Sequence, residues 1–146
     1  MRTVYDLGMD LEANPERVEL AQALTRNPAK PQLGLKGRHG LFGSTDWWNS
    51  VRAGNMPTLE ISGTIERAYC AGQGDSGPAN TVDLRTAHDA LETVGIYTND
   101  KRDVALFQPG QSARILYVLD ELKMQPSSDG GVNYSRIAVE MAVSTD

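Results

Sequence analysis

Nucleophilic catalysis is the first chemistry that the residue types suggest, through Ser76 and His88. A serine hydroxyl becomes a nucleophile when a nearby base such as histidine takes its proton. Ser76 precedes His88 by twelve residues, and a β-hairpin could bring the two side chains together. A glycine-rich hairpin loop in which Asp75 and Ser76 cap their own backbone explains the same residues without catalysis.

The stretch Gly74-Asp-Ser-Gly-Pro78 resembles the nucleophile loop of trypsin-like serine proteases, and Thr86-Ala-His88 faintly resembles their histidine motif. Enzymes of that family place the histidine before the serine in the chain and need two packed barrels to join them. Here the serine comes first, and the length allows one barrel. The resemblance therefore fails, and we predict no catalytic residues and no enzymatic activity.

An anion site is the second chemistry to consider, in the segment from Gly37 to Thr45 ahead of a predicted helix. It is not a phosphate-binding P-loop, because Gly43 stands where a lysine should precede the Ser/Thr. The start of the helix still offers free N–H groups, and Lys36, Arg38 and His39 lie close to it in sequence. We predict these three as binding residues, and the alternative is a plain linker.

Metal binding has little support in the composition. Two histidines in different contexts and one cysteine cannot form a tetrahedral structural zinc site. The acids Asp120, Glu121 and Asp129 flank a loop but lack the spacing of a calcium-binding loop. We therefore expect no metal ion and no cofactor.

Trp47 and Trp48 hold most of the aromatic surface of the chain. Adjacent helical positions point about 100° apart, so we expect one ring to cap the core and the other to face outward. The sequence does not decide which ring is exposed. Trp48 shares a helix face with Arg52, where it could stack on the guanidinium or anchor a partner. Trp48 and Arg52 are therefore candidate binding residues.

The net charge of −5 argues against a general binder of nucleic acid or anionic membranes. The charge is unevenly placed, because residues 21–45 contain no acid and carry +4, so that the rest carries −9. Within this stretch Pro28 to Gly40 is rich in glycine and proline and is predicted to be irregular. We call it the basic arm and interpret it as lying across the acidic part of its own chain.

The compartment is suggested by two further features of the sequence. Cys70 is the single cysteine, so no intramolecular disulfide can form. No apolar run reaches the length of a signal peptide or a membrane span. These features predict a cytoplasmic protein that does not enter membranes.

Alternation of apolar and polar side chains predicts most of the regular structure. The predicted strands are Thr3–Leu7, Thr58–Cys70, Thr81–Thr86, Leu91–Thr98, Ala113–Leu119 and Tyr134–Val143. The predicted helices are Pro15–Arg26 with Asn14 as its cap, a helix from a Ser44 or Thr45 cap to Gly54, and a short turn from Asn99 to Phe107. The alternative is a helix across residues 86–94. In the last strand, Ala138 and Ala142 are predicted to face outward.

The long strand from Thr58 carries Leu59, Ile61, Gly63 and Ile65 on one row, which we predict to face inward. A missing side chain at Gly63 lets a strand bend or be approached by another backbone. The order strand, strand, strand, short helix, strand, strand resembles the five-stranded OB-fold barrel. The resemblance implies a mainly β small-barrel domain over residues 57–146. Residues 1–56 would add an N-terminal helix, the basic arm and a short tryptophan-containing helix that do not fold independently.

A fold of this kind does not define a function, so the function must be sought in loops and surface. Two polar loops, residues 72–80 and 121–133, are longer than hairpins require, and their acids Asp75 and Asp129 are further candidate binding residues. Our leading hypothesis is a binding module for a protein, such as an immunity protein or a phage-encoded inhibitor that neutralises a basic partner. The alternatives are a single-stranded nucleic-acid binder using the basic arm and a small-ligand-binding barrel. The outward residues Asp83, Arg85 and Glu92 are a poor platform for nucleic acid.

Overall fold

The computed structural model of the chain describes residues 1–72 and 77–145. Its strands are β1 (Arg2–Asp6), β2 (Thr58–Tyr69), β3 (Thr81–Arg85), β4 (Leu91–Gly95), β5 (Ser112–Glu121) and β6 (Tyr134–Val143). Its helices are α1 (Leu7–Ala13), α2 (Pro15–Arg26), α3 (Thr45–Ala53) and a 3-10 helix, η1 (Lys101–Leu106). The order from β2 to β6 confirms the predicted strand, strand, strand, short helix, strand, strand.

The strands form an antiparallel sheet in the order β1-β6-β5-β2-β3-β4. The prediction of a mainly β chain with a small barrel-like fold is confirmed. The sheet is not closed, because β1 and β4 stand at its two ends. The resemblance to the OB fold implies a closed barrel, and the strand order does not show this closure.

The described chain divides into two compact units. The first unit comprises Met1–Asp10, Glu60–Leu116 and Ala138–Asp146, and the second comprises Leu11–Leu59 and Tyr117–Ile137. The predicted division into residues 1–56 and 57–146 stays a prediction.

The core of the first unit comes from the alternating rows that the sequence predicts. Ile61 and Ile65 are buried as expected. The outward prediction for Ala138 and Ala142 is wrong, since both are buried. Buried side chains lie on both rows of β6, with Met141 on one row and Ala142 on the other, and a strand covered on both faces needs small or apolar side chains on each row.

The edge strand β1 is held in place by Asn99 in the first unit. The N–H of Asn99 donates to the carbonyl of Val4 at 2.9 Å. The Asn99 side chain accepts from the N–H of Asp6 at 2.8 Å and donates to its carbonyl at 3.1 Å. The β1–β6 register also shifts between Thr3 and Tyr5. One end of the sheet is therefore both irregular and covered by its own chain.

Gly63 lies where another strand comes close to β2, as the sequence predicts. A Cβ built on Gly63 would clash with the carbonyl oxygen of Arg85 and lie 2.8 Å from its carbonyl carbon. The β2–β3 register then shifts between Ile65 and Arg67. The strand bends there because glycine admits the neighbouring backbone.

In the second unit, the caps of α3 follow the predicted chemistry. The Ser44 hydroxyl accepts from the N–H of Trp47, and Gly54 ends the helix in the left-handed region with φ 73°. α2 spans the predicted residues, but none of its side chains is buried and Leu20 is 71% exposed. The residue pattern did not predict α1, which directly follows β1.

We predict that Gly63→Val lowers the free energy of unfolding by more than about 1 kcal/mol, because the new side chain must displace the Arg85 backbone. Urea unfolding measures the effect. Thr64→Val is the matched control, since Thr64 is the exposed neighbour in β2 and its change should stay within about 0.5 kcal/mol. Equal stability of the two variants would contradict the close approach at Gly63.

Candidate functional site

The basic arm is hydrogen-bonded to the end of β5 in the second unit. The N–H of Lys36 donates to the Glu121 carbonyl at 2.9 Å. Leu35 forms an antiparallel bridge with Leu122, and the N–H of Lys123 donates to the Gly34 carbonyl at 3.0 Å. The arm therefore extends the ladder beyond β5 and lies on its own chain within the second unit. That it lies across the acidic part of the chain stays a prediction.

Side chains strengthen this attachment at two places. Arg38 pairs with Glu121 at 2.8 Å, with the arginine side chain 64% exposed and the carboxylate 10% exposed. The Lys123 ammonium donates to the carbonyls of Leu24 at 2.6 Å and Lys30 at 3.1 Å. A cation at the last carbonyls of α2 also complements the helix dipole. Arg38 and Lys123 thus join the arm and the end of α2 to β5.

Trp47 is the buried tryptophan and forms the centre of the second unit. Its indole N–H donates to Asp120 Oδ2 at 3.0 Å, and its side chain has no exposed surface. Phe42 and Trp48 pack edge-on against it, each with ring centroids 5.0 Å away. The prediction that one tryptophan caps a core is confirmed for Trp47.

Asp120 is the polar group that sequence reasoning missed. It is fully buried, and its Oδ1 has no hydrogen-bond partner among the described residues. Burial raises the pKa of the Asp120 carboxyl, while the bond from Trp47 and the charge of His39 oppose that rise. No sequence signal predicts the burial of Asp120, because an acid beside Glu121 is typical of the start of a solvated loop.

The predicted anion-binding residues are neighbours in the arm, but they differ in exposure and in the contacts they make. Lys36 is exposed, and Arg38 is paired with Glu121. His39 is half-buried, and its carbonyl accepts from the Ser50 hydroxyl at 3.3 Å. A Cβ built on Gly40 would lie 3.0 Å from the backbone nitrogen of Trp47. The arm therefore lies directly against the first turn of α3, and the anion site stays a prediction.

Trp48 and Arg52 lie on the outer part of α3. Trp48 is half-buried against Trp47, and Arg52 is exposed and donates to Asn49 Oδ1 at 3.2 Å. Their role in binding stays a prediction.

The two predicted loop acids have different outcomes. Asp129 accepts from the Ser127 hydroxyl and from the N–H of Gly131 at 2.9 Å. These hydrogen bonds lower the pKa of the Asp129 carboxyl, the Ser127 bond having the largest effect. Asp75 lies outside the described residues, so its role in binding stays a prediction. Ser76, for which the sequence predicts no catalytic role, lies outside them as well.

The first unit carries the acidic character of the chain. Its segments contain twelve Asp and Glu against six Lys and Arg, a net charge of −6. On the outer row of β3, Asp83 accepts from the Tyr69 hydroxyl at 3.1 Å and from the Thr93 hydroxyl at 2.7 Å. Arg85 pairs with Glu66 at 2.7 Å. The second unit is close to neutral, so an electrostatic attraction for a basic partner is concentrated in the first.

The first unit also has a groove of about 430 Å³ between the end of β2 and η1. Phe107, Val104 and Pro109 supply part of its apolar wall. The Arg102 side chain at its rim is paired with Asp100 at 2.7 Å. The groove is open to solvent, whereas small-molecule sites bury most of their ligand. The small-ligand alternative is therefore not favoured.

Within residues 1–72 and 77–145, no group of three or more His, Cys, Asp or Glu side chains could hold a metal ion. Over the same residues, every helix is too short or too polar to cross a membrane.

The family model described as "Immunity protein RhsI2" matches residues 1–144, nearly the whole chain. No curated protein matches the chain.

Asp120 and Asp129 predict opposite pH dependences. Burial raises the pKa of Asp120 in the folded chain above its ordinary 3.8. The contribution of the protonated Asp120 to the free energy of unfolding is therefore present at low pH and is lost as the pH rises. Relative to wild type, Asp120→Asn should therefore become more stable between about pH 3 and pH 7. The Asp129 pKa is lowered, so Asp129→Asn should become less stable over the same range.

Urea unfolding of the three proteins across that range provides the measurement. The sign of each slope is decisive, because a constant offset from the substitution itself does not change it. A flat or falling difference for Asp120→Asn would contradict a buried carboxyl held by Trp47.

Proposed function

The chain belongs to the RhsI2 immunity protein family, and we propose that it neutralises a protein toxin by binding to it, without catalysis. Membership over residues 1–144 carries this proposal. An inhibitor that acts by covering the toxin's surface needs no catalytic residues. The sequence agrees with this, because Ser76 and His88 stand in the wrong order for the proteases that their motifs resemble.

The toxin that fits this chain is basic on its binding surface. The net charge of −6 in the first unit favours a positively charged partner, since complementary potentials accelerate encounter and exclude like-charged proteins. The nucleic-acid alternative is less favoured, because Arg38 of the basic arm is already paired with Glu121.

The second unit offers further contact residues for the same partner. Trp48 and Arg52 are of the types that most often anchor interfaces, and they lie one turn apart on α3. Lys36 and Arg38 keep exposed side chains beside His39. We include Asp75 and Asp129 as loop residues able to contact a basic surface.

Two finer features belong to the same proposal. The strand order and the short helix before β5 support an OB-like architecture, with β1 added to β6. Cys70 is the single cysteine of the sequence, so the chain forms no internal disulfide, which supports action in the reducing cytoplasm.

The probe for the test is the toxin, to be sought among the products of the genes directly beside that of this chain. We predict that calorimetry shows a 1:1 complex. In a separate kinetic measurement, the association rate constant should fall at least about tenfold between roughly 50 and 500 mM NaCl. Trp48→Ala should weaken binding at least about tenfold if Trp48 is an anchor. The control is Leu20→Ala, a truncation of an exposed apolar side chain on α2.

Absence of binding at low salt would contradict the proposed function. Binding that is insensitive to salt would leave neutralisation intact but contradict the basic partner. An equal effect of Trp48→Ala and Leu20→Ala would remove Trp48 from the contact surface.

A further inference from the structure

The backbone of β4 has a defined outward edge. At the two ends of the β3–β4 ladder, the N–H of Ile96 donates to Asn80 at 2.8 Å and that of Thr86 to Ala90 at 2.9 Å. The register between them runs without a shift. Bonded and non-bonded pairs alternate in an antiparallel ladder, so Leu91 and Thr93 must direct their N–H and C=O groups away from β3.

That edge is uncovered within the described part of the chain. β4 is the last strand of the sheet, and no hydrogen bond among described residues reaches the outward backbone groups of Leu91 or Thr93. Leu91, Glu92 and Thr93 are all exposed, Leu91 at 50%. Both faces of this part of β4 and its edge are thus open to solvent.

The two ends of the sheet differ in how they avoid pairing with other chains. Natural proteins protect edge strands with bulges, prolines, charges or a covering segment. β1 has a register shift and is covered by Asn99. β4 has a regular register and contains no proline. Its charged side chain, Glu92, repels acidic or like strands but attracts a basic one.

The charges around β4 indicate which strand would fit. Asp89 in the β3–β4 turn has a side chain 93% exposed, and Glu92 is exposed in the strand itself. Asp83 lies directly across from Thr93. Two cations lie nearby: Arg85 pairs with Glu66 at 2.7 Å and with Asp89 at 3.9 Å, and Arg67 pairs with Asp83 at 3.8 Å. Lysine or arginine side chains of an added strand would therefore meet the exposed carboxylates of Asp89 and Glu92.

We propose that the outward edge of β4 docks an extended, basic segment of the toxin, which adds a strand to the sheet by pairing with Leu91 and Thr93. This inference rests on the proposed function. Backbone hydrogen bonds would supply affinity, and the acids Asp89 and Glu92 would select the charge of the segment.

Amide hydrogen exchange resolved by NMR tests the docking directly, with the same toxin as the probe. In the free chain the amides of Leu91 and Thr93 should exchange fast, while those of Glu92 and Val94, bonded to β3, are protected. In the complex the Leu91 and Thr93 amides should slow at least about tenfold. This alternating pattern is specific to an added strand, because a side-chain contact would not select every second amide.

Matched variants separate backbone pairing from side-chain effects. Thr93→Pro removes the outward N–H and should weaken binding at least about tenfold, and an outward edge position tolerates proline. Thr93→Val loses the hydroxyl bond to Asp83 but keeps the N–H, so its affinity should stay within about threefold. Glu92→Lys should weaken binding at least about tenfold, whereas Glu12→Lys, an exposed acid of α1, changes the net charge equally and should have a smaller effect.

Each outcome has one meaning. Binding with unchanged Leu91 and Thr93 exchange overturns the docking at β4 and leaves the proposed function standing, whereas absence of binding overturns both. Protection of these amides in the free chain at high concentration, lost on dilution, would assign the edge to a second copy of this chain and overturn the toxin segment. If Thr93→Pro fails to fold, the exchange pattern of the wild-type complex alone decides.

Discussion

The pairing of β1 with β6 is the constraint on which the rest of the sheet depends. A sheet closes into a barrel only when its two end strands pair. Here β1 takes the free side of β6, and Asn99, which follows β4 in the chain, bonds to the outer side of β1. The backbone of one end is thereby satisfied, and β4 remains the open end. The same pairing that stabilises the N-terminal strand leaves a strand free for recognition.

The second unit is organised by the end of β5 in an analogous way. Asp120 accepts from Trp47, and Glu121 holds the basic arm through both its carbonyl and its carboxylate. Burying Asp120 is costly, and its raised pKa reflects that cost. The Trp47 bond offsets part of it and positions α3. The half-buried Trp48 and the exposed Arg52 thus stand on a helix anchored by a buried polar contact, which suits an interface that must be preorganised.

Much of this fold is predictable because local rules agree with it. Alternation located the β2 to β6 strands, and the caps Ser44 and Gly54 bounded α3. The failures have physical causes that are not local. The alanines of β6 look outward by alternation and are buried because the strand is covered on both faces. Asp120 gave no signal, because its acceptor role depends on a tryptophan 73 residues away.

The chain is a member of the RhsI2 family. It has an acidic first unit, an open edge strand and anchored aromatic residues. We propose that the chain acts by occupying the surface of a toxin and not by modifying the toxin. The most direct measurement is the residual activity of a fixed amount of toxin as this chain is added in increasing amounts at concentrations far above the dissociation constant. Occupation predicts a linear loss of activity that ends at one chain per toxin and is reversed when the complex is dissociated. Complete and irreversible inactivation by a small fraction of one equivalent would contradict it.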